Sequence, residues 1–487
     1  MPIHSSRLFK NFFGTDKMRR LFTDETRVAY FFRVEVALAK VEADLGLIPA
    51  QAYEEIARRA LGLSVNWERL RRDVEVSGYP VLPALDQLGE ACGSAGEYLH
   101  WGSVARDVAD IAFLMQMHDA LLLVERDVRQ VRNLLLGMAE AYRSTLMMAR
   151  SDGGETQPVT FGFRCAVWLT EIERQACRLE TVRVGMLGGP FGGTTGTLAG
   201  LGARGMEIQA GLLVELGLPA PKHDWPATRD RSCEIVFAIG LAASCVANIA
   251  ATISRMSRNE VRELGESPSG RRPGAKPLQS RQGFAAGENV TVHARLAAQN
   301  VSLMMESIGQ DHDRDWNAHM EVLVVPQTFL LVHSAVSQMG ELLAGLQVFP
   351  KRMRSNLETQ AGLLMAESVT LQLAAKSGRR TAHRLMARVC DSALRDDQPL
   401  RDVLVRTREV TALMSQTEID AALAPGAYLG SVPRIVEQVI DRAHAASIAG
   451  RVERPSGSAP GPQAATPAAP PASQGYAGLP QGAPQGV

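Results

Sequence analysis

The sequence predicts an all-α protein built around a bundle of long helices, and three observations carry that expectation. Ala, Leu, Arg and Glu are abundant while aromatic residues make up only 5%, a balance that favours helix over strand. Phe31, Val34, Leu38, Val41 and Leu45 recur at alternating steps of three and four, which puts them on one helix face. Long stretches also run without a proline: the 46 residues from Ala105 to Arg150 contain none, and a single glycine, Gly137.

Taken in order, segment 26–45 reads as an amphipathic helix with Arg33, Glu35, Lys40 and Glu42 off its apolar stripe. It stops at Gly46, with Pro49 three residues on. Shorter helices follow to residue 110. If continuous, 105–150 is a rod of about 69 Å. Two further long segments run over 229–264 and 288–325. Within the first, Ile235–Ile253 is 19 residues without a charge, long enough to cross a membrane. It carries Ser244, Asn248 and Thr252 and continues into SRMSRNEVREL, so it is expected to be the central helix of a bundle rather than a membrane span. Gly-rich loops, 187–200 and 263–289, punctuate the rods, and loops of that length tend to be functional. The expected domains are 1–112, 113–354 and a small helical 355–447. A Pro/Gly/Ala-rich tail, 448–487, is read as disordered, with eight Pro and six Gly after Gly450.

The chain has 487 residues, with 52 basic and 52 acidic side chains. A net charge of zero argues against nucleic acid and anionic membrane as partners. Six scattered cysteines include no C-x-x-C pair and read as small core residues in a reducing cytoplasm. The N-terminus lacks the apolar stretch of a secretory signal, which also points to the cytoplasm. No H-e-x-x-H or other metal-ligand spacing is present, so neither metal nor cofactor is expected. The 188–193 glycine run follows no strand and is not a dinucleotide loop.

Three stretches resemble signatures of the fumarase/aspartase superfamily, in its adenylosuccinate lyase and 3-carboxy-cis,cis-muconate cycloisomerase branches. YLHWGSVARDVADIA (98–112) resembles the first, MMARSDGGETQPVTFG (147–162) the second, and GAKPLQSRQGFAAGENV (274–290) lies where the third belongs. VEVALAKVEADLGLIP (34–49), FGGTTGTLAGLGARG (191–205), WPATRDR (225–231), QDHDRDW (310–316) and AYLGSVPRIVEQVIDRA (427–443) extend the resemblance over residues 5–446. It implies a three-domain helical fold whose central helices join those of three other subunits in a homotetramer. Active sites would then be shared between subunits. It also implies a small anionic substrate from which a proton is abstracted beside a carboxylate as a neighbouring group departs, or the reverse. Such chemistry needs a base, fixed donors for the developing aci-carboxylate, and an acid or cation for the leaving group.

Position by position the chain departs from the pattern. His100, Trp101, Gly102, Asp107 and Asp110 are kept, but the Thr-Ser pair is Val104-Ala105. Arg150 is kept, while Asp152 stands at the second signature's His and Gly154 at its Gln. Counting back from Glu288-Asn289-Val290 puts Ala275-Lys276 at the Ser-Ser pair, Arg281 at the Lys and Gly283 at the Asn; a shift of register brings Ser280 to the base position. The expected catalytic residues are Asp152, His100 and Ser280. The expected substrate contacts are Arg150, Arg281, Asn289, His312, Arg314 and Lys276. Each has a plainer reading: His100 as a helix-start residue bonded to backbone, Asp152 as a turn cap, and Lys276 and Arg281, with Arg271 and Arg272, as a solvated basic loop. His312 and Arg314 have one as a surface ion-pair network. Three signatures altered together mean either a rebuilt lyase or cycloisomerase site on a polycarboxylate or amino-dicarboxylate, or an inactive scaffold of the same fold.

Overall fold

Five helices open the chain: α1 (Asp16–Leu21), α2 (Asp24–Asp44), α3 (Ala50–Gly62), α4 (Trp67–Ser77) and α5 (Val81–Cys92). The computed structural model describes residues 8–151, 154–185, 191–218, 228–265, 285–309, 318–360 and 362–452. The Thr23 hydroxyl caps α2 by accepting the Thr26 N–H, and Asp24 and Glu25 in the first turn suit the positive end of the helix dipole. At its other end Gly46 has φ +72°, and Gly46 and Leu47 donate their N–H groups to the carbonyls of Ala43 and Glu42. That closes the helix as a Schellman motif, where the sequence placed the stop.

A 3-10 turn, Gly93–Tyr98, leads to α6 (Ala105–Ala141), followed by strands β1 (Leu146–Ser151) and β2 (Gly154–Thr160) and by α7 (Phe161–Gly185) and α8 (Gly205–Glu215). Then come α9 (Asp230–Met256), β3 (Leu264–Gly265), α10 (Ala285–Glu306), α11 (Ala318–Ala344) and β4 (Gln347–Val348). Helices α6, α7, α9, α10 and α11 pack on one another as a bundle. The apolar stretch of α9 lies in it, with Val236, Ile239, Val246, Ile249 and Ile253 fully buried. Helix α9 and residues His319–Ala344 of α11 are both long and apolar enough to cross a membrane, yet 61% and 72% of their most apolar windows are already buried inside the protein.

The rods are shorter than proline-free length suggested. Helix α6 stops at Ala141 because the chain folds back there: Phe161 and Gly162 donate to the carbonyls of Thr145 and Tyr142. A Cβ on Gly162 would stand 2.5 Å from the Arg143 Cα. Residues 146–151 therefore pair antiparallel with 154–160, and β3 pairs with β4. The fold is mostly helical rather than wholly so. Segment 229–264 is helical only to Met256, and 288–325 divides between α10 and α11.

Beyond the bundle lie α12 (Pro350–Glu358), which packs on β1, then α13 (Ala366–Ser377), α14 (Arg379–Arg395), α15 (Leu400–Arg406), α16 (Arg408–Thr411) and α17 (Gln416–Ala422). Helices α13–α17 share an apolar core that includes Val369, Leu373, Leu385, Val389, Leu404 and Ile419. The last helix is α18 (Val432–Val452). Residues 1–440 form one compact unit; of the second, which starts at Asp441, only the end of α18 is described. All six cysteines are free thiols, three of them buried, while Cys177 is exposed rather than in the core.

Candidate active site

The first signature forms the loop between the 3-10 turn and α6. Gly102 has φ +65°, and a Cβ there would stand 2.5 Å from the Leu201 side chain and 2.9 Å from the Gly200 carbonyl. Only glycine lets this loop press against the 199–204 turn. His100 has φ +61°, a conformation that costs an L-residue about 1–2 kcal/mol. Glu35 of α2 holds it there. The His100 N–H donates to Glu35 Oε2 at 3.1 Å, and His100 Nδ1 lies 2.6 Å from Glu35 Oε1 and 2.8 Å from the Ser103 hydroxyl.

The Glu35 side chain is fully buried, while that of His100 is 17% exposed. Burial alone would lower the His100 pKa; the Glu35 hydrogen bond and charge, helped by Asp107, outweigh it and raise the pKa above the ordinary value. Nothing among the described residues bonds His100 Nε2. His100 forms part of the wall of a cavity of about 480 Å³ beside α5, together with Leu85, Asp86, Gly89, Glu97 and Leu99. His100 is thus a helix-start residue, but its partner is a buried carboxylate as well as the local loop.

Val104 and Ala105, in place of the expected Thr-Ser pair, occupy the N-cap and first position of α6, and the cap has no side-chain hydrogen bond. Asp107 in the same turn is buried and accepts the N–H groups of Gly192 and Gly193 at 3.3 and 2.9 Å, which pins the Gly-rich loop to α6. One turn on, Asp110 accepts from Arg106 at 3.0 Å and from Arg229 at 3.2 Å, and Glu321 of α11 stands 3.7 Å from Arg229. Burial lifts the Glu321 pKa to about 7 against the pull of Arg229.

The second signature is the β1–β2 hairpin. Arg150 forms a bidentate pair with the fully buried Glu263, both bonds 2.8 Å long. Asn356 of α12 donates to the same carboxylate at 2.8 Å and to the Val261 carbonyl at 2.9 Å. Glu263 directly precedes β3, so this pair ties the hairpin to the chain leading into β3. Arg150 is therefore already engaged by a protein carboxylate. Asn289 is half-buried in the first turns of α10. Asp152, Lys276, Ser280, Arg281, His312 and Arg314 lie outside the described residues.

Of the three expected residues that are described, His100 pairs with Glu35 and Ser103, Arg150 pairs with Glu263 and Asn356, and Asn289 belongs to neither group. Sequence reasoning missed Glu35, Glu42 and Glu263. Glu35 and Glu42 were read as lying off the apolar stripe, yet each is 1% exposed. Their spacing of seven residues, two helical turns along one line of α2, was the available signal. Among the described residues, no group of three or more His, Cys, Asp or Glu side chains is arranged to hold a metal ion.

A helical bundle carrying these three signature segments defines a lyase of the fumarase/aspartase class. The family described as Lyase matches residues 12–275, and that described as Adenylosuccinate lyase C-terminus matches 362–439. The chain is 32% identical to N-acetyl-S-(2-succino)cysteine lyase of Dickeya dadantii, over 89% of this chain and 96% of that one. It is 31% identical to trans-aconitate decarboxylase 1 of Mycosarcoma maydis, over 90% and 89% respectively. The crystal structure of the 3-carboxy-cis,cis-muconate lactonizing enzyme from Pseudomonas putida superposes with a TM-score of 0.85 at 29% identity, covering 91% of this chain and 100% of that one. The chain belongs to the fumarase/aspartase superfamily of lyases, and it is a lyase-type enzyme for carboxylate substrates.

Proposed function

We propose that this lyase makes or breaks a bond on the carbon next to a carboxylate-bearing carbon of a small polycarboxylate or amino-dicarboxylate, with His100 as the proton donor. The observation that carries this reading is the Glu35–His100 pair: His100 lines the cavity beside α5, its Nδ1 is taken by Glu35, and nothing among the described residues bonds its Nε2. In the elimination direction a base takes the proton beside the carboxylate. The electron pair forms the new double bond, the leaving group departs with its own bonding pair, and His100 Nε2–H protonates it. The Glu35 carboxylate raises the His100 pKa and so favours the ring that carries this proton. Asp152 and Ser280 remain the proposed bases. The relatives support the substrate class, since succinocysteine, aconitate and carboxymuconate all carry several carboxylates. They also differ in the bond they act on, which fits a site whose signatures are rebuilt rather than lost.

We also propose a homotetramer with sites completed between subunits. Leu303 on α10 and Leu323 on α11 are 50% and 73% exposed although their helices form the bundle. The reading is tested by turnover of a polycarboxylate panel followed by absorbance and mass spectrometry. The panel contains 3-carboxymuconate, trans-aconitate, N-acetyl-S-(2-succino)cysteine, adenylosuccinate and argininosuccinate. Turnover of any member, lost in His100→Gln, supports it. Silence from the folded assembly favours the scaffold.

A further inference from the structure

We propose that Glu35 is the positioning residue of His100: one buried carboxylate receives both the backbone N–H and the Nδ1–H of that histidine, fixing the tautomer that leaves Nε2 to exchange a proton with substrate. This rests on the reading of His100 as the proton donor. The geometry selects the tautomer. With the ring proton on Nε2, the Nδ1 lone pair would face a carboxylate oxygen 2.6 Å away. With the proton on Nδ1, that oxygen accepts it, while the Ser103 hydroxyl at 2.8 Å suits either tautomer. The same choice serves Glu35, whose buried charge needs donors, and His100 supplies two, at 3.1 and 2.6 Å.

The left-handed backbone at His100 is what turns its N–H and its ring toward a single carboxylate. The charged groups acting on the ring are Glu35 from α2 and Asp107 from α6. The cavity wall adds Asp86, Glu90 and Glu97, with Arg69 held by Glu90 at 2.6 Å. Glu35 does not line that cavity, whereas His100 does, so it acts through His100.

The test is hydrogen–deuterium exchange at the imidazole C2 carbon, read on the His100 peptide by mass spectrometry across pH, in the full chain and in Glu35→Gln and Glu35→Asp. The native midpoint is expected above that of free imidazole, shifted down in Glu35→Gln and partly restored in Glu35→Asp. A midpoint unchanged in Glu35→Gln overturns the proposal. Should that variant fail to fold, a native midpoint at or below the free value overturns it equally. The pH profile of turnover supplies the second readout: its alkaline limb moves down with the His100 midpoint in Glu35→Gln. A shifted midpoint with full turnover in His100→Gln would sink the proton-donor reading and leave the pairing standing.

Discussion

Glu42 is buried, and among the described residues neither of its carboxylate oxygens has a hydrogen-bond partner. Burial and the neighbouring charge of Glu35 raise its pKa to about 8. The folded chain therefore keeps a proton that the unfolded chain releases above the ordinary carboxylate range. Folding stability contributed by this site is undiminished at pH 4 and falls as pH rises toward 8. Glu42→Gln is expected to stabilise the protein by about 1–3 kcal/mol at pH 8 and to change little at pH 4, measured by denaturant melts at the two pH values. The Arg150–Glu263 pair makes the opposite case. Removing Glu263 alone leaves a half-buried guanidinium without its carboxylate and takes one of the two acceptors from the Asn356 amide, so Glu263→Ala should cost about 3 kcal/mol, while the double variant Arg150→Met with Glu263→Met recovers most of the loss. Additive losses in that cycle would contradict a coupled pair. None of these carboxylates was legible beforehand. Charge patterning sends a glutamate to solvent unless its tertiary partner is known, and the partners here are 65 residues away for Glu35 and 113 for Glu263.

At the scale of elements, what was legible depended on local signals. The stop of α2 was readable because Gly46 supplies the left-handed residue that its C-terminal motif requires. The end of α6 was not, because Tyr142–Thr145 contains neither glycine nor proline. The corner is set from the other side, where Gly162 lies against the Arg143 backbone. Gly162→Ala should separate α6 from α7 and destabilise the protein by more than about 2 kcal/mol, seen as a lower denaturant midpoint. An unchanged midpoint would contradict this close approach. Val104-Ala105 was read as a loss of hydroxyls, and in the structure the two residues stand at a helix start with no side-chain cap. Val104→Thr restores a capping side chain and should stabilise by about 0.5–1 kcal/mol, measured by the same melts.

At the scale of the whole molecule, the fold class was readable because its signatures and long apolar segments extend through most of the chain. The site was only partly so, since several expected residues lie outside the described segments and the partners of His100 and Arg150, Glu35 and Glu263, are distant in sequence. Assembly is where these meet. Leu303→Arg combined with Leu323→Arg places two charges on apolar surfaces that the account assigns to subunit packing, and should convert tetramer to smaller species in sedimentation velocity. An unchanged tetramer would place the contacts elsewhere. The most direct test of the central claim is turnover of the polycarboxylate panel by the native chain and by His100→Gln in parallel. The account predicts that at least one member is converted and that the variant, still folded, loses about a hundredfold or more of the rate. Equal conversion by the two proteins would remove His100 from the chemistry, and no conversion by the folded native assembly would contradict the proposed lyase activity on this substrate class.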